Sequence, residues 1–299
     1  MSLTSYDSLE EAIQSVFGKE VHIVKESFVG GGDINNASCL SLSDGKRVFL
    51  KSNSISNRSF FDAEEEGILA IASTGKIDTP ELLCKGIDKD KDISFLLMNM
   101  IDSARPVKEH WEIFGRELAF MHLSDTKNFV SDGIYGFDKD NYIGAGYQKN
   151  TPKDSWISFF RECRLEPQFK KAQRYFDNGF IKNVISLLDK LDEILTEPEH
   201  PSLLHGDLWS GNIMTNSKGK AMLIDPAVYV GHAEADLAMT ELFGSLPRQF
   251  YKAYEETNPL QQGYKDRRDL YNLYHLINHL NLFGSSYLFS VMQTVKKYL

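Results

Sequence analysis

Through the first hundred residues, apolar and polar positions alternate in short runs, a pattern that predicts strands more often than helices. Residues 21–29 are rich in β-branched side chains and predict a strand, and extended segments follow at 37–42 and 47–51. Asp44-Gly45, between the last two, is typical of a hairpin turn. The nearly continuous apolar run at 93–100 predicts a buried strand, so this part of the chain should form a small antiparallel sheet.

Beyond residue 107, apolar residues recur at helical spacing, which predicts a mainly helical second part. Helices are expected at 8–17 and 60–72 in the first part, and at 111–123, 156–164, 181–195, 235–243 and 270–283 in the second. Segment 202–225 instead holds two short apolar runs around a polar loop. The pattern predicts an α+β fold of two lobes, residues 1–101 and 102–299, with a hinge near 98–102.

Composition narrows the classes of function. The chain has 299 residues and a formal net charge of -9, so most of its surface should repel a nucleic acid backbone. The three cysteines show no CxxC spacing and predict neither a zinc site nor a disulfide framework. The N-terminus lacks the features of a secretory signal, and no apolar run approaches the roughly 20 residues that span a bilayer. A cytoplasmic protein without nucleic acid or membrane partners is therefore expected.

The most informative motif is HGDLWSGN at 205–212, followed by the aspartate of the Leu-Ile-Asp-Pro string at 223–226. Phosphoryl transfer needs a group that orients the attacking hydroxyl and cations over the phosphates. A carboxylate at Asp207 suits the first task. Asn212 and Asp225 offer the oxygen ligands that Mg²⁺ prefers. The five-residue step from Asp207 to Asn212 matches the spacing in a kinase catalytic loop.

Three residues of this loop have alternative interpretations. Asn212 could brace the loop through backbone hydrogen bonds as well as bind a metal ion. His205 is interpreted as a packed structural residue, because Asp207 is the better placed carboxylate for a base. Trp209 could belong to the core, or it could form a wall of the site for the acceptor substrate.

A glycine-rich turn marks a second candidate site in the first lobe. Gly30, Gly31 and Gly32 interrupt two predicted strands, and glycines let backbone N–H groups approach phosphate oxygens. Lys51 ends the next strand and is placed to contact the phosphates of ATP, with a glutamate of the following helix as its partner. Position alone leaves three candidates for that partner, namely Glu64, Glu65 and Glu66.

The apolar run before the hinge supplies candidates for adenine binding. Backbone groups of Met98, Asn99 and Met100 could bind the base, and the side chain of Met98 could pack on its ring. The same run is also consistent with a buried core strand, and the two interpretations are compatible.

These motifs resemble the fructosamine kinase (ketosamine-3-kinase) family, which has a protein-kinase-like fold and is related to aminoglycoside and choline phosphotransferases. The resemblance covers nearly the whole chain and is strongest in HGDLWSGN at 205–212 and IDPAVYVGHAEADLAM at 224–239. It implies an ATP-dependent kinase that phosphorylates the sugar 3-hydroxyl of ketosamines, either free or on protein lysine, and so leads to deglycation of the amine.

The resemblance also implies roles for individual residues. Asp207 would be the base, Asn212 and Asp225 the Mg²⁺ ligands, and Lys51 and Glu64 the ion pair on the ATP side. Trp209 would line the acceptor site, and His279, in a stretch similar to the C-terminal helix of the family, is a further acceptor-binding candidate. Some relatives carry a cysteine in the glycine-rich loop where this chain has Asp33, so a redox-linked dimer is not expected. The chain is instead expected to be a monomer or a weak dimer.

Two other functions compete with this one. The chain could phosphorylate another small hydroxyl compound, such as an aminoglycoside or choline, or it could be a catalytically inactive kinase-like binding module. The joint presence of Lys51, Glu64, Asp207, Asn212 and Asp225 argues against an inactive module. A protein kinase is disfavoured because no DFG and APE pair frames an activation loop.

Overall fold

The computed structural model describes residues 3–30 and 34–299. The first part of the chain forms a six-stranded sheet with the strand order β1-β5-β6-β4-β3-β2. The strands are β1 (Ser5–Tyr6), β2 (Ile23–Phe28), β3 (Asn36–Leu42), β4 (Arg47–Ser54), β5 (Leu82–Asp88) and β6 (Ile93–Asn99). Two helices accompany the sheet, α1 (Leu9–Phe17) and α2 (Arg58–Ser73), with a short 3₁₀ helix at Ile55–Asn57 before α2.

The second part is mainly helical. Its helices are α3 (His110–His122), α4 (Trp156–Phe159), α5 (Glu166–Ala172), α6 (Asn178–Asp189), α7 (Leu191–Ile194), α8 (Glu234–Leu242), α9 (Arg248–Thr257), α10 (Tyr264–Phe283) and α11 (Leu288–Lys297). A π-helical turn at Phe160–Leu165 joins α4 to α5, and 3₁₀ turns lie at Gln173–Tyr175, Ser210–Asn212 and Ser285–Tyr287. Three small antiparallel ladders pair β7 (Asn141–Ile143) with β8 (Gly146–Gln148), β9 (Ser202–Leu204) with β12 (Tyr229–Gly231), and β10 (Ile213–Thr215) with β11 (Ala221–Leu223).

The predicted α+β class is confirmed, with one correction to the sheet. Its neighbouring strands are antiparallel except at one edge, where β1 runs parallel to β5. The predicted hairpin turn between β3 and β4 is present, since the Leu42 N–H donates to Lys46 O at 2.9 Å and Gly45 has a φ of 85°. The sheet is therefore mixed, because it includes β1, a short strand that the hydrophobic pattern did not predict.

Helix boundaries differ from prediction by more than two residues in three places. One is α10, which begins at Tyr264, six residues before the expected start at 270. The helix expected at 156–164 continues through the π-helical turn and α5 as far as Ala172. The helix expected at 181–195 begins earlier, because Asp177 caps it by accepting a hydrogen bond from the Phe180 N–H at 2.7 Å. It ends at Asp189, and the single-turn helix α7 follows.

Separate apolar clusters stabilise the two parts of the molecule. One cluster packs α1 against the sheet and includes Leu9, Ile13 and Leu40. The largest cluster fills the helical part around Trp156. Helix α2 contributes to more than one cluster, because its early residue Phe61 packs with β6 whereas Ile71, near its end, packs with the helical core. This helix therefore couples the sheet to the helical part.

The segment that connects the sheet to the helices follows β6. Residues 100–109 have no regular structure before α3 begins at His110. Two backbone bonds hold this connector against the turn after β10, from Ala104 N to Asn216 O and from Val107 N to Gly219 O. A lobe boundary at residue 101 falls inside the connector and stays a prediction. Among the described residues, no helix combines the length and apolar character that crossing a membrane requires.

Candidate active site

A sharp turn after β9 positions the motif that begins at His205. Gly206 has a φ of 81°, in the region that favours glycine, and a Cβ at this position would lie only 2.0 Å from the carbonyl oxygen of Ala227. The Ala227 N–H donates to the His205 carbonyl at 2.8 Å, which ties the two backbone segments together. A larger residue at 206 would push these segments apart, so the glycine is required by close backbone approach.

The side chains of Asp207 and Asn212 meet in this loop. Asn212 Nδ2 donates to the backbone oxygen of Asp207 at 2.8 Å and to its Oδ2 at 3.2 Å. The N–H of Ile224 donates to the backbone oxygen of Asn212 at 3.1 Å, which links the loop to the segment carrying Asp225. Asn212 therefore braces the loop through its amide nitrogen, while its side-chain oxygen takes no part in these bonds.

His205 supports the loop from below. It is fully buried, its Nε2 donates to Ile224 O at 2.9 Å, and its Nδ1 accepts from the Asp207 N–H at 3.3 Å. Burial lowers the pKa of this imidazole, in agreement with a neutral ring that donates from one nitrogen and accepts at the other. The arrangement agrees with the interpretation of His205 as a structural residue.

The environment of Asp207 favours its protonated form. Burial raises the pKa of this carboxyl to about 7, and the charges of Asp225 and Asp236 act in the same direction, while the hydrogen bond from Asn212 opposes the shift. A carboxyl with a pKa near neutral can exchange a proton with a hydroxyl at physiological pH, which is the property expected of a general base.

Two residues to which the sequence analysis assigned no role, one of them inside the 224–239 motif, hold the turn through hydrogen bonds. Asp236, at the start of α8, accepts hydrogen bonds from the backbone N–H groups of His205 at 2.7 Å and Gly206 at 2.9 Å. His122 of α3 donates to the same carboxylate at 3.2 Å, and its other nitrogen is 2.7 Å from the Tyr254 hydroxyl. Burial alone would raise the pKa of Asp236, but these donors outweigh it and lower the pKa. The carboxylate thus remains ionised beneath Asp207.

Lys51, on β4 of the sheet, contacts two carboxylates of the site. Its Nζ lies 2.5 Å from Glu64 Oε1 and also contacts Asp225 Oδ1 directly. Burial would lower the pKa of Lys51, but the two carboxylates outweigh it and raise the pKa. Burial raises the pKa of Glu64, and the charge of Lys51 opposes that shift. The predicted ion pair is present, and it lies against the aspartate predicted to bind metal.

The three consecutive glutamates of α2 have different partners. Glu64 pairs with Lys51, as the family resemblance implied. Glu65, which is nearly fully buried, lies 2.7 Å from Lys85 of β5, and the half-buried Glu66 contacts Lys139. Only one of the three faces the cleft, because successive residues of a helix point in different directions.

Asp225 occupies an unusual backbone position between β11 and β12. Its φ of 54° lies in the left-handed region, which aspartate tolerates better than most residues. Its side chain is 47% exposed, in contrast to the buried Lys51 and Glu64. Within the described ranges no group of three or more His, Cys, Asp or Glu residues could hold a metal ion. Any metal ion held by Asn212 and Asp225 would therefore need further oxygen ligands from substrate and water.

A hidden polar layer fixes the residues that follow Asp225. Gln148 of β8 donates to Ala227 O at 3.0 Å and accepts from the Tyr274 hydroxyl at 2.6 Å. Asn141 of β7 donates to Val228 O at 2.7 Å. The fully buried Arg164 supports the same layer, with its guanidinium carbon 3.9 Å from the ring centre of Tyr229. The sequence analysis assigned none of these residues to the site.

The candidate acceptor residues lie together in an aromatic row. Trp209, which is 38% exposed, lies edge-on to Phe243 with 6.4 Å between ring centres, and Phe243 lies 4.9 Å from His279. His279 Nδ1 donates to His275 O at 2.8 Å, which leaves Nε2 as an acceptor in the neutral ring. Burial lowers the pKa of His279 and favours that neutral form. The structure thus joins two residues that are 70 positions apart in sequence.

The remaining nucleotide-binding candidates are only partly described. Gly30 has open space around its Cα, whereas Gly31 and Gly32 lie outside the described residues, as does Asp33. Met98 is almost fully buried with Phe61 and Ile68, so its side chain belongs to the core. Asn99 and Met100 are half-buried at the end of β6. Their roles in adenine binding stay predictions.

The raised pKa of Asp207 has a consequence for stability. In the unfolded chain this carboxyl titrates near 4, so between pH 4 and 7 the folded protein binds one proton more than the unfolded protein. The contribution of the Asp207 carboxyl to the free energy of unfolding is therefore lost as the pH rises from 4 to 7. We expect Asp207→Asn to stabilise the protein at pH 8, by no more than about 4 kcal/mol, which is the value of three pKa units.

Urea unfolding of the wild type and of Asp207→Asn at pH 5 and pH 8 would test this expectation. The gain should be larger at pH 8, because asparagine resembles the neutral carboxyl that the folded state prefers. An equal effect of the substitution at both pH values would contradict a raised pKa.

Comparisons with known proteins agree with this geometry. A family model described as fructosamine kinase matches residues 5–299. A Synechocystis protein named "Probable ketoamine kinase" is 36% identical over 294 residues, which cover 98% of this chain and 96% of that protein. The chloroplastic protein-ribulosamine 3-kinase of Arabidopsis thaliana is 38% identical over 301 residues, covering 100% and 90% of the two chains.

Solved structures give the same result for the fold. A crystal structure from Haemophilus somnus 129PT, provisionally assigned as a fructosamine-3-kinase, superposes with a TM-score of 0.85 at 29% identity. The alignment covers 98% of this chain and 97% of the other. The predicted protein-kinase-like, two-lobed fold is thereby confirmed.

Proposed function

Because the chain belongs to the fructosamine kinase family, we propose that it phosphorylates the sugar 3-hydroxyl of ketosamines with ATP as the phosphoryl donor. The observation that carries this proposal is the proximity of three groups: the Lys51–Glu64 pair contacts Asp225, and a backbone bond from Ile224 to Asn212 joins Asp225 to the Asp207–Asn212 loop. Phosphoryl transfer depends mainly on positioning and on compensation of charge, and these residue types supply both.

Asp207 is the base in this proposal. It accepts the proton of the attacking hydroxyl and orients the oxygen toward the γ-phosphorus. Its pKa near 7 suits this task, and the hydrogen bond from Asn212 to Oδ2 fixes the direction of the carboxylate. Asp236 supports it indirectly by holding the backbone of His205 and Gly206.

Lys51, held by Glu64, binds the α- and β-phosphates of ATP. The contact of Lys51 with Asp225 is consistent with this role, because it shows the ammonium group bound to an anionic oxygen. The glycine-rich turn between β2 and β3 would cover the phosphates with backbone N–H groups. The adenine would lie against the end of β6, near Asn99 and Met100.

Asn212 and Asp225 would hold Mg²⁺ through side-chain oxygens. One is an amide oxygen that accepts no hydrogen bond from the residues that the structure describes, and the other is a half-exposed carboxylate. Two protein ligands with phosphate and water oxygens completing the shell are usual for this ion. When bound, the ion neutralises charge on the triphosphate and so favours transfer.

The acceptor sugar would bind against the aromatic row. Trp209, two residues after Asp207, offers a partly exposed ring, and His279 offers Nε2 as an acceptor for a sugar hydroxyl. An amine-linked sugar fits such a site because its ring or chain packs on an aromatic face while its hydroxyls reach polar groups.

A direct assay tests the proposal. Ribulose and fructose adducts of one simple amine, together with an aminoglycoside and choline, would be incubated with the protein and Mg-ATP. We expect phosphorus NMR to show a sugar 3-phosphate only for the adducts. Turnover of choline or the aminoglycoside alone, or of no acceptor while ATP still binds, would contradict it. Asp207→Asn serves as the matched inactive control.

A further inference from the structure

A cleft of about 330 Å³ opens away from the residues assigned to the active site. It lies between β8, the end of α5 and α10. The residues that matter for its chemistry are Gly146, Gln168, Lys171, Arg174, Asn278 and Asn281. None of them belongs to the catalytic machinery described above.

Two cations line this cleft, and neither pairs with a carboxylate in the described part of the chain. Lys171 Nζ lies 3.3 Å from the backbone oxygen of Tyr147, and Arg174 Nη2 lies 3.2 Å from the Tyr175 hydroxyl. Burial lowers the pKa of Lys171, as expected for an ammonium group that loses water without gaining an acidic partner. In a chain with a net charge of -9, two such cations form a local site for an anion.

The opposite wall of the cleft is a rigid set of amides. Gln168 Nε2 donates to Asn278 Oδ1 at 3.1 Å, and Asn281 Nδ2 donates to Gln168 Oε1 at 2.8 Å. These bonds fix the orientation of Asn281, and none of the described residues donates a hydrogen bond to its buried Oδ1. A buried acceptor without a donor is costly, so a ligand that brings an N–H group to this atom would gain stability.

The cleft is connected to the active site through two elements. Gln148 bonds both to Ala227, two residues after Asp225, and to Tyr274. Asp207 is near enough for its charge to add to the rise in the pKa of Tyr274 that burial causes. Asn278 and Asn281 follow Tyr274 on α10 at roughly 6 and 10 Å along the helix axis.

The mouth of the cleft also lies near Ile34, which precedes β3. Gly144, at the tip of the β7–β8 hairpin, has a φ of 57°. A Cβ there would lie 3.1 Å from Ile34, just after the turn, and 3.3 Å from Leu282, which also lines the cleft. The cleft and the start of the segment that leads into β3 are thus neighbours across a single hairpin.

The geometry points to this cleft as the binding site for the carboxylate of the amino-acid part of a ketosamine acceptor, an inference that rests on the proposed function. Lys171 and Arg174 would bind the carboxylate, and the N–H group on the adjacent α-carbon would donate to Asn281 Oδ1. In this binding mode the lysine side chain and the first carbons of its sugar adduct would extend from the cleft toward Asp207. The enzyme should therefore favour glycated lysine with a free carboxylate.

Two acceptors that differ only in charge test the inference. The ribulose adduct of Nα-acetyl-lysine carries the carboxylate, and the adduct of Nα-acetyl-lysine amide does not. For the wild type we expect kcat/KM to be about fivefold higher with the acid, a difference equivalent to about 1 kcal/mol. The difference should lie in KM, because the contact is remote from the reacting atoms and is the same in the ground and transition states.

The double variant Lys171→Met, Arg174→Gln should bring the two acceptors to within twofold of each other with kcat unchanged. Lys170→Met is the matched control, since Lys170 precedes Lys171 in α5 but does not line the cleft, and it should keep the wild-type preference. Equal use of both acceptors by the wild type, or a preference that survives in the double variant, would overturn the carboxylate site while leaving the kinase function intact. Failure of both acceptors and of the corresponding fructose adducts would instead refute the proposed function.

Discussion

Replacement of Asp207 by asparagine is expected to lower kcat by at least about 10²-fold and to leave ATP affinity close to that of the wild type. Asparagine has the shape of aspartate, and its oxygen can still accept the hydrogen bond from Asn212 Nδ2. It cannot take a proton from the attacking hydroxyl. Lys51 and Asp225, which are assigned to the nucleotide and its metal ion, contact each other without involving Asp207. The loss should therefore fall on chemistry and not on nucleotide binding.

Single-turnover rates with a ketosamine acceptor and calorimetric titration with Mg-ATP would separate the two effects. Asp138→Asn is a suitable control, because the only partner of this carboxylate among the described residues is Ser131, and Asp138 is not one of the residues assigned to the site. A variant at 207 that retained most of the wild-type rate would refute the assigned role of the base.

Strands and helices could be predicted from the sequence where each has one continuous hydrophobic face. Strand β5 was missed because its apolar residues are interrupted by Lys85 and Gly86. Gly86 is required there because a Cβ would lie 2.4 Å from the backbone oxygen of Tyr6 on the neighbouring strand. Such a requirement depends on a distant strand, so a local pattern could not reveal it.

Helices α9 and α11 were missed for a related reason. Each buries only a few residues, namely Phe250, Ala253 and Tyr254 in α9 and Val291 and Val295 in α11. Their other positions are polar or exposed, so the apolar stripe is narrow. Both helices are stabilised by packing on the large helical core, and that packing is decided by tertiary contacts and not by local propensity.

The site could be predicted where its members share one motif. Asp207 and Asn212 are close in sequence, and the spacing of their motif was sufficient. The supporting residues are remote from it: His122 bonds to Asp236 across 114 positions, and Tyr274 bonds to Gln148 across 126. The partner of Lys51 required knowledge of which face of α2 points to the cleft. Sequence therefore identified the groups assigned to the chemistry but not the residues that position them.

Asp225→Asn is expected to lower kcat/KM for ATP on the order of 10²-fold, the usual scale for loss of one charge-stabilising group. Asparagine is a better test than alanine at this position. Asp225 has a φ of 54°, where alanine would be strained by roughly 1 kcal/mol whereas asparagine is tolerated. The substitution thus removes the negative charge while keeping the backbone and an oxygen ligand in place.

The effect of Asp225→Asn should depend on the concentration of Mg²⁺, because a neutral amide oxygen binds a hard cation more weakly than a carboxylate does. We expect the Mg²⁺ concentration for half-maximal activity to rise at least about tenfold, equivalent to about 1.4 kcal/mol. Glu64→Gln offers a contrast, since it also removes a partner of Lys51 but leaves both proposed metal ligands intact. It should weaken ATP binding without shifting the Mg²⁺ dependence. An unchanged Mg²⁺ requirement in Asp225→Asn would show that Asp225 acts through Lys51 alone.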